Sequence, residues 1–146
     1  IVLLHENEKE IYGDVASRCW DLMTQLGCEH FAATYDFSNF VQCEEDNAVA
    51  WPLLKPYVRY FHLKDSLYSA GSRVRDLGHE VTGNAHRPLG EGDGKALSIL
   101  QEADAAGFQG YLSIEPHLGD EYGLSGHEKF AAAAKAAQAL VAQARA

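Results

Sequence analysis

The 146-residue sequence predicts an α/β domain built on parallel strands. Two observations carry this. Apolar runs alternate with helical patterns along the chain, in the order strand, helix, strand, helix, strand, loop, helix, strand, helix. The strand runs are also apolar with little alternation, as expected when helices cover both faces of a sheet. Strands joined through helices run parallel, with right-handed crossovers.

The elements follow in order. Residues 1–6, IVLLHE, read as the first strand. Residues 14–27 read as a helix, with Asp14 as the N-cap and Gly27 as the C-terminal stop. Residues 30–36, HFAATYD, form an Ala-rich second strand. Residues 44–56 have a helical pattern, but Pro52 cannot sit comfortably inside it, which predicts two short pieces or a kink. YVRYFHLKD is the third strand, residues 94–107 a helix ending at Gly107, and GYLSIE (110–115) the fourth strand. Residues 126–146 are rich in Ala, Lys and Gln and form the last helix. Between strand three and the helix at 94 lies a long stretch, Ser66 to Asp93, rich in Gly, Arg and His. A loop of that length in a compact domain is usually functional or mobile.

Composition narrows the function. Apolar residues make up 47% of the chain, so it is globular rather than disordered. Its 12 basic and 21 acidic residues give a net charge of -9. A nucleic-acid partner would need a basic face, so none is expected. A small anionic substrate held by one or two local cations remains compatible. Cys19, Cys28 and Cys43 have no CxxC spacing and are odd in number, as in a cytoplasmic protein with small, buried, reduced thiols. No apolar run reaches transmembrane length and no signal peptide precedes the first strand, so no membrane partner is expected. The chain opens inside a strand pattern without Met, which predicts residues preceding Ile1.

The chemistry sits at strand ends. The first strand ends on His5-Glu6, the second on Asp36, the third on His62 with Asp65 beyond, and the fourth on Glu115. Carboxyl ends of parallel strands share one face, where ligands bind. Glu6, Asp36, His62 and Glu115 are therefore expected to meet in space. Three carboxylates alone would repel one another. With one imidazole they suit one divalent metal ion: Mn²⁺, Mg²⁺, Co²⁺ or Zn²⁺. Adjacent strand residues point to opposite faces, so only one of His5 and Glu6 faces the centre. Taken singly, each of the four also fits a plainer role: a cap, a turn former or a core histidine.

The segments LLHENE, TYDFSNF, YFHLKD, GEGDG and YLSIEPH, in this order and spacing, resemble the xylose isomerase-like TIM-barrel superfamily. Within it they are most similar to the sugar phosphate isomerase/epimerase family. The resemblance covers essentially the whole chain. It implies a parallel (β/α) TIM barrel of which residues 1–146 are the C-terminal half, strands five to eight, as a single domain. It implies that Glu6, Asp36, His62 and Glu115 are the metal ligands, and it favours Glu6 over His5. It further implies an enzyme of carbohydrate metabolism acting on a ketose or related sugar (phosphate). Such an enzyme isomerises or epimerises by proton transfer next to a metal-bound carbonyl, with Glu6 and Glu115 as the catalytic acid/base pair. Four strands are half a barrel, so either the rest lies elsewhere or the protein closes itself as a homo-oligomer.

Secondary candidates follow by position. Lys64 shares the His62 face if the strand continues, and Arg87, His117 and Asn39 are candidate substrate contacts. For Lys64 and Arg87 a salt-bridge role is an equal reading. Asp65 is read as fixing a neighbour or the loop, and His30, His79, His86 and His127 as structural or exposed. Rival functions are an inosose-type dehydratase using the same site, a metal-dependent endonuclease disfavoured by the acidic balance, and a non-catalytic metal- or sugar-binding fragment.

Overall fold

The computed structural model describes residues 1–68 and 86–146. The central part of the long stretch, including His79, lies outside them. Four strands form one parallel sheet in the order β1-β2-β3-β6: β1 (Leu3–Glu6), β2 (Phe31–Asp36), β3 (Val58–Leu63) and β6 (Tyr111–Ile114). Helices α1 (Ala16–Leu26), α3 (Asn47–Leu54), α4 (Ala96–Ala105) and α5 (Gly126–Ala144) connect and flank the strands. The predicted class is thus borne out.

The core lies between the sheet and these helices. Tyr35 and Phe61, from adjacent strands, pack with Phe37, Phe40 and Trp51, with ring centroids 5.1–5.8 Å from Tyr35. Phe37, Phe40 and Phe61 are fully buried, each contributing about 2–3 kcal/mol relative to exposure. The Tyr35 hydroxyl donates to Asn47 Oδ1 at 2.8 Å, so the aromatic core leaves that group satisfied.

Several boundaries differ from the sequence-based expectation. Asp14 does not cap α1. Val15 occupies the N-cap, and the Asp14 carboxylate pairs with Arg18 at 2.8 Å, one helical turn on. Residues 44–56 hold one uninterrupted helix, α3, capped by Asp46 and containing Pro52. Pro52 removes one N–H, so a single hydrogen bond to the carbonyl four residues back is forgone. A short helix, α2 (Phe37–Gln42), follows β2 directly and was not foreseen, because its FSNFVQ sequence is too short for a helical period to register. After β3, Lys64 interrupts the strand. Two-residue strands β4 (Asp65–Ser66) and β5 (His86–Arg87) then pair antiparallel as a separate ribbon. Cys28 is exposed rather than buried.

Not every strand is covered on both faces. β2 is buried almost throughout, whereas the edge strands β1 and β6 expose Leu3 (67%) and Tyr111 (76%). The four strands make a partial barrel with two open edges.

Candidate metal centre

The parallel register sets the site. Asp36 pairs with His62, Glu6 lies opposite Thr34, and His62 lies opposite Ser113, two residues before Glu115. Four side chains from four neighbouring strand ends therefore face one point. Glu6, Asp36, His62 and Glu115 each offer one ligand atom, all within 4.8 Å of one another. His5 turns the other way: its Nε2 lies 3.4 Å from the Gly13 carbonyl and 3.9 Å from Cys19 Sγ. Gly13 is required there, since a Cβ would run into the His5 ring.

Two links hold the strand ends in line. Asn7, fully buried, donates to the Asp36 carbonyl at 2.9 Å and accepts the Asp36 N–H at 2.8 Å, clamping the end of β1 to the end of β2. Sequence reasoning missed Asn7; an Asn directly after a strand-end Glu was the only signal. Asp36 Oδ1 accepts the Asn39 N–H at 2.7 Å, so one carboxylate caps α2 and faces the cluster. Asn39 Nδ2 in turn donates to Glu6 Oε1 at 3.0 Å.

Three carboxylates crowd around one imidazole and one ammonium. His62 Nδ1 lies 3.0 Å from Glu6 Oε1, 3.1 Å from Glu115 Oε1 and 3.8 Å from Asp36 Oδ2. One nitrogen carries at most one proton and cannot satisfy both near oxygens. Lys64, buried, supplies one ammonium 3.0 Å from both Asp36 Oδ2 and Glu115 Oε2. With Glu115 the contact is a hydrogen bond. With Asp36 it is an ion pair outside hydrogen-bond angles, and Asp36 Oδ2 has no hydrogen-bond partner among the described residues. A second fully buried acceptor, Asn39 Oδ1, is likewise unpartnered among the described residues. A convergence of three carboxylates and an imidazole fits a divalent cation by donor chemistry.

Electrostatics respond to this crowding. Burial pushes the Asp36 carboxyl up to about 7, against the pull of Lys64. The Glu6 hydrogen bond raises His62 above its ordinary value, against burial. Burial would raise Glu115, but Lys64 outweighs it and the carboxyl lies below its usual range. Burial would likewise lower Lys64, and Asp36 and Glu115 reverse the sign.

The remaining predicted residues divide. Lys64 joins the cluster through ion pairs. His117 Nε2 sits 3.6 Å from Glu115 Oε2 at the rim. Arg87 donates to the His86 carbonyl at 3.0 Å and lies 3.8 Å from Glu121. Asp65 fixes the loop, as expected: its carboxylate accepts four backbone N–H groups, from Ser66, Gly90, Gly92 and Gly94, at 2.9–3.1 Å. His86, set aside in the sequence, is half-buried beside His117, with ring centroids 5.3 Å apart.

A family profile described as xylose isomerase-like TIM barrel matches residues 1–142. Among curated proteins none matches the sequence. Solved structures share the fold. A xylose isomerase-like TIM barrel protein from Mycobacterium smegmatis in complex with magnesium superposes with a TM-score of 0.71 at 16% identity, over 99% of this chain and 45% of its own. IOLI protein with a binding zinc atom gives 0.70 at 15% identity, over 98% and 49%. L-ribulose 3-epimerase gives 0.62 at 15% identity, over 99% and 48%. The chain thus spans about half the length of the structures it matches. Among the described residues no helix is long and apolar enough to cross a membrane.

Proposed function

Because the chain belongs to the xylose isomerase-like TIM barrel family, we propose that its strand-end cluster holds one divalent metal ion and that the protein moves a proton next to the carbonyl of a ketose or related sugar, as an isomerase or epimerase. The observation that carries the reading is the convergence of Glu6, Asp36, His62 and Glu115 within 4.8 Å. These four would hold the ion: Mn²⁺, Mg²⁺, Co²⁺ or Zn²⁺. When bound, it supplies Lewis-acid polarisation of the substrate carbonyl.

The chain's own residues do the rest. Glu6 and Glu115 come from the two edge strands, with His62 between them. One carboxylate removes the proton next to the carbonyl. The other returns it from the opposite side, which inverts the carbon. Lys64 Nζ, fixed between Asp36 and Glu115, donates to a substrate oxygen or phosphate. Asn39 holds Glu6 in place beside the substrate. Arg87 and His117 line the rim toward the substrate's far end. In this reading residues 1–146 are strands five to eight of the barrel, in a cytoplasmic homo-oligomer. The two open sheet edges support an assembly that covers them.

Deuterium incorporation from D₂O into a panel of ketoses, with and without EDTA, tests the proposal. Metal-dependent exchange with Glu115→Gln inactive is the expected result. Near-normal exchange by Glu115→Gln overturns the acid/base role. A protein that takes up no divalent ion overturns the whole reading. Loss of water from the sugar, in place of exchange, assigns a dehydratase.

A further inference from the structure

Beside the metal cluster lies a buried polar network that the proposed proton transfer does not use. Ser38 and Ser66 are fully buried, and Gln42 nearly so. Gln42 Nε2 donates to Ser38 Oγ at 3.0 Å, and Ser38 Oγ donates to Ser66 Oγ at 3.0 Å. Ser38 has one lone pair left, and His86 Nδ1 lies 3.5 Å from it. A hydroxyl offers one donor and two acceptor sites. With Gln42 and Ser66 occupying one of each, Ser38 keeps one acceptor site facing His86 Nδ1. In the Nδ1-protonated tautomer of the neutral ring, Nε2 is an acceptor.

The fold places that ring at the site. His86 lies on β5, held to Ser66 of β4 immediately beyond Lys64. Its ring packs beside His117, whose Nε2 is 3.6 Å from Glu115 Oε2. Tyr122 OH donates to the His86 carbonyl at 3.3 Å, fixing the backbone from the other side. Burial, with the neighbouring His117, holds the imidazole down at about 4, so it is neutral at working pH.

We infer that His86 is a substrate-specificity residue, its Nε2 accepting a hydroxyl proton from the part of a polyol chain that extends past Glu115. This rests on the metal-dependent sugar reading above. Of the three buried polar side chains, Ser38 faces the ring, and Gln42 and Ser66 in turn bond Ser38, so its hydroxyl is held in place beside the imidazole.

Two enediolate mimics separate the roles. Glycolohydroxamate is short and reports metal chelation; threonohydroxamate carries two further hydroxyl carbons that reach beyond it. Calorimetric titration of the Mn²⁺-loaded protein is expected to show that His86→Leu weakens threonohydroxamate about tenfold, the size of one lost hydrogen bond. Glycolohydroxamate and Mn²⁺ affinities stay within about twofold. His86→Gln, which keeps an acceptor, recovers part of the loss. Ser38→Ala, which frees the ring and also removes a partner of Gln42 and Ser66, gives a smaller loss confined to threonohydroxamate. A purely structural role would weaken both mimics together, and that result overturns the inference, as does unchanged threonohydroxamate affinity in His86→Leu. Failure of the unsubstituted protein to bind Mn²⁺ overturns the metal reading itself, and this inference with it.

Discussion

Replacing Asp65 by Ala tests how the glycine turn is held against the site. Asp65 is 1% exposed and both its oxygens are used: Oδ2 accepts from Gly90 and Gly92, Oδ1 from Gly94 and Ser66. Truncation strands four donors. Gly90 and Gly92 are reachable by water, but Gly94 and Ser66 are buried. Two orphaned buried donors cost about 1–3 kcal/mol each. Some of this is offset because the carboxylate no longer has to be desolvated, a cost that raises the Asp65 carboxyl despite its four donors. The expected net loss is about 3 kcal/mol, or roughly 10 °C in melting temperature for a domain of this size. Urea unfolding followed by circular dichroism, in EDTA, measures it. Gly94→Ala provides the cross-check. Its Cβ would stand 2.7 Å from Asp65 Oδ1 and 2.9 Å from Phe37 Cβ, costing about 1–3 kcal/mol alone. Removing Asp65 relieves the first clash, so the double variant loses less than the sum. A loss below about 1 kcal/mol in Asp65→Ala, or strict additivity, refutes the reasoning.

Other outcomes follow from the same geometry. Lys64→Met leaves Asp36 and Glu115 without their shared ammonium; it is expected to destabilise the metal-free protein by about 3 kcal/mol, with most of that recovered in saturating Mn²⁺. Equal melting of variant and parent in EDTA sinks this expectation. Asn7→Ala removes the clamp between β1 and β2 and is expected to cost about 2 kcal/mol while loosening Mn²⁺ binding; unchanged Mn²⁺ affinity by calorimetry counts against the clamp. For pH, His86 is held at about 4 in the fold against 6.5 when unfolded. Below 6.5 the unfolded chain therefore binds a proton that the fold refuses, and this contribution is lost as pH falls from 6.5 toward 4. In His86→Gln the stability curve should be flatter across that window, by about 2 kcal/mol once partial exposure is allowed for. Parallel curves in urea titrations would exclude this origin.

The legible part of this protein was its order of elements and the chemistry at strand ends. Strand length, apolar runs and Gly27 and Gly107 as helix stops are local properties, so they survive in one dimension. Parallel connectivity then brings the strand carboxyl ends to one face, which groups Asp36, His62 and Glu115 with either His5 or Glu6, and the family resemblance favours Glu6. What sequence could not supply depended on contacts between distant segments. Asp14 fits an N-cap by pattern, yet Arg18 captures it and the helix starts later. The place of the His5 ring, turned away from the cluster toward Gly13 and Cys19, depends on the pleat of β1 and the space left by Gly13. Asn7 and His86 carried no recognisable pattern, because their partners lie 29 and 48 residues away in the chain. The sequence by itself thus determined which residue types end each strand. Only the tertiary structure decided which buried polar groups hold them there, since hydrogen-bond partners are set by the register of packed strands and not by neighbours in the chain.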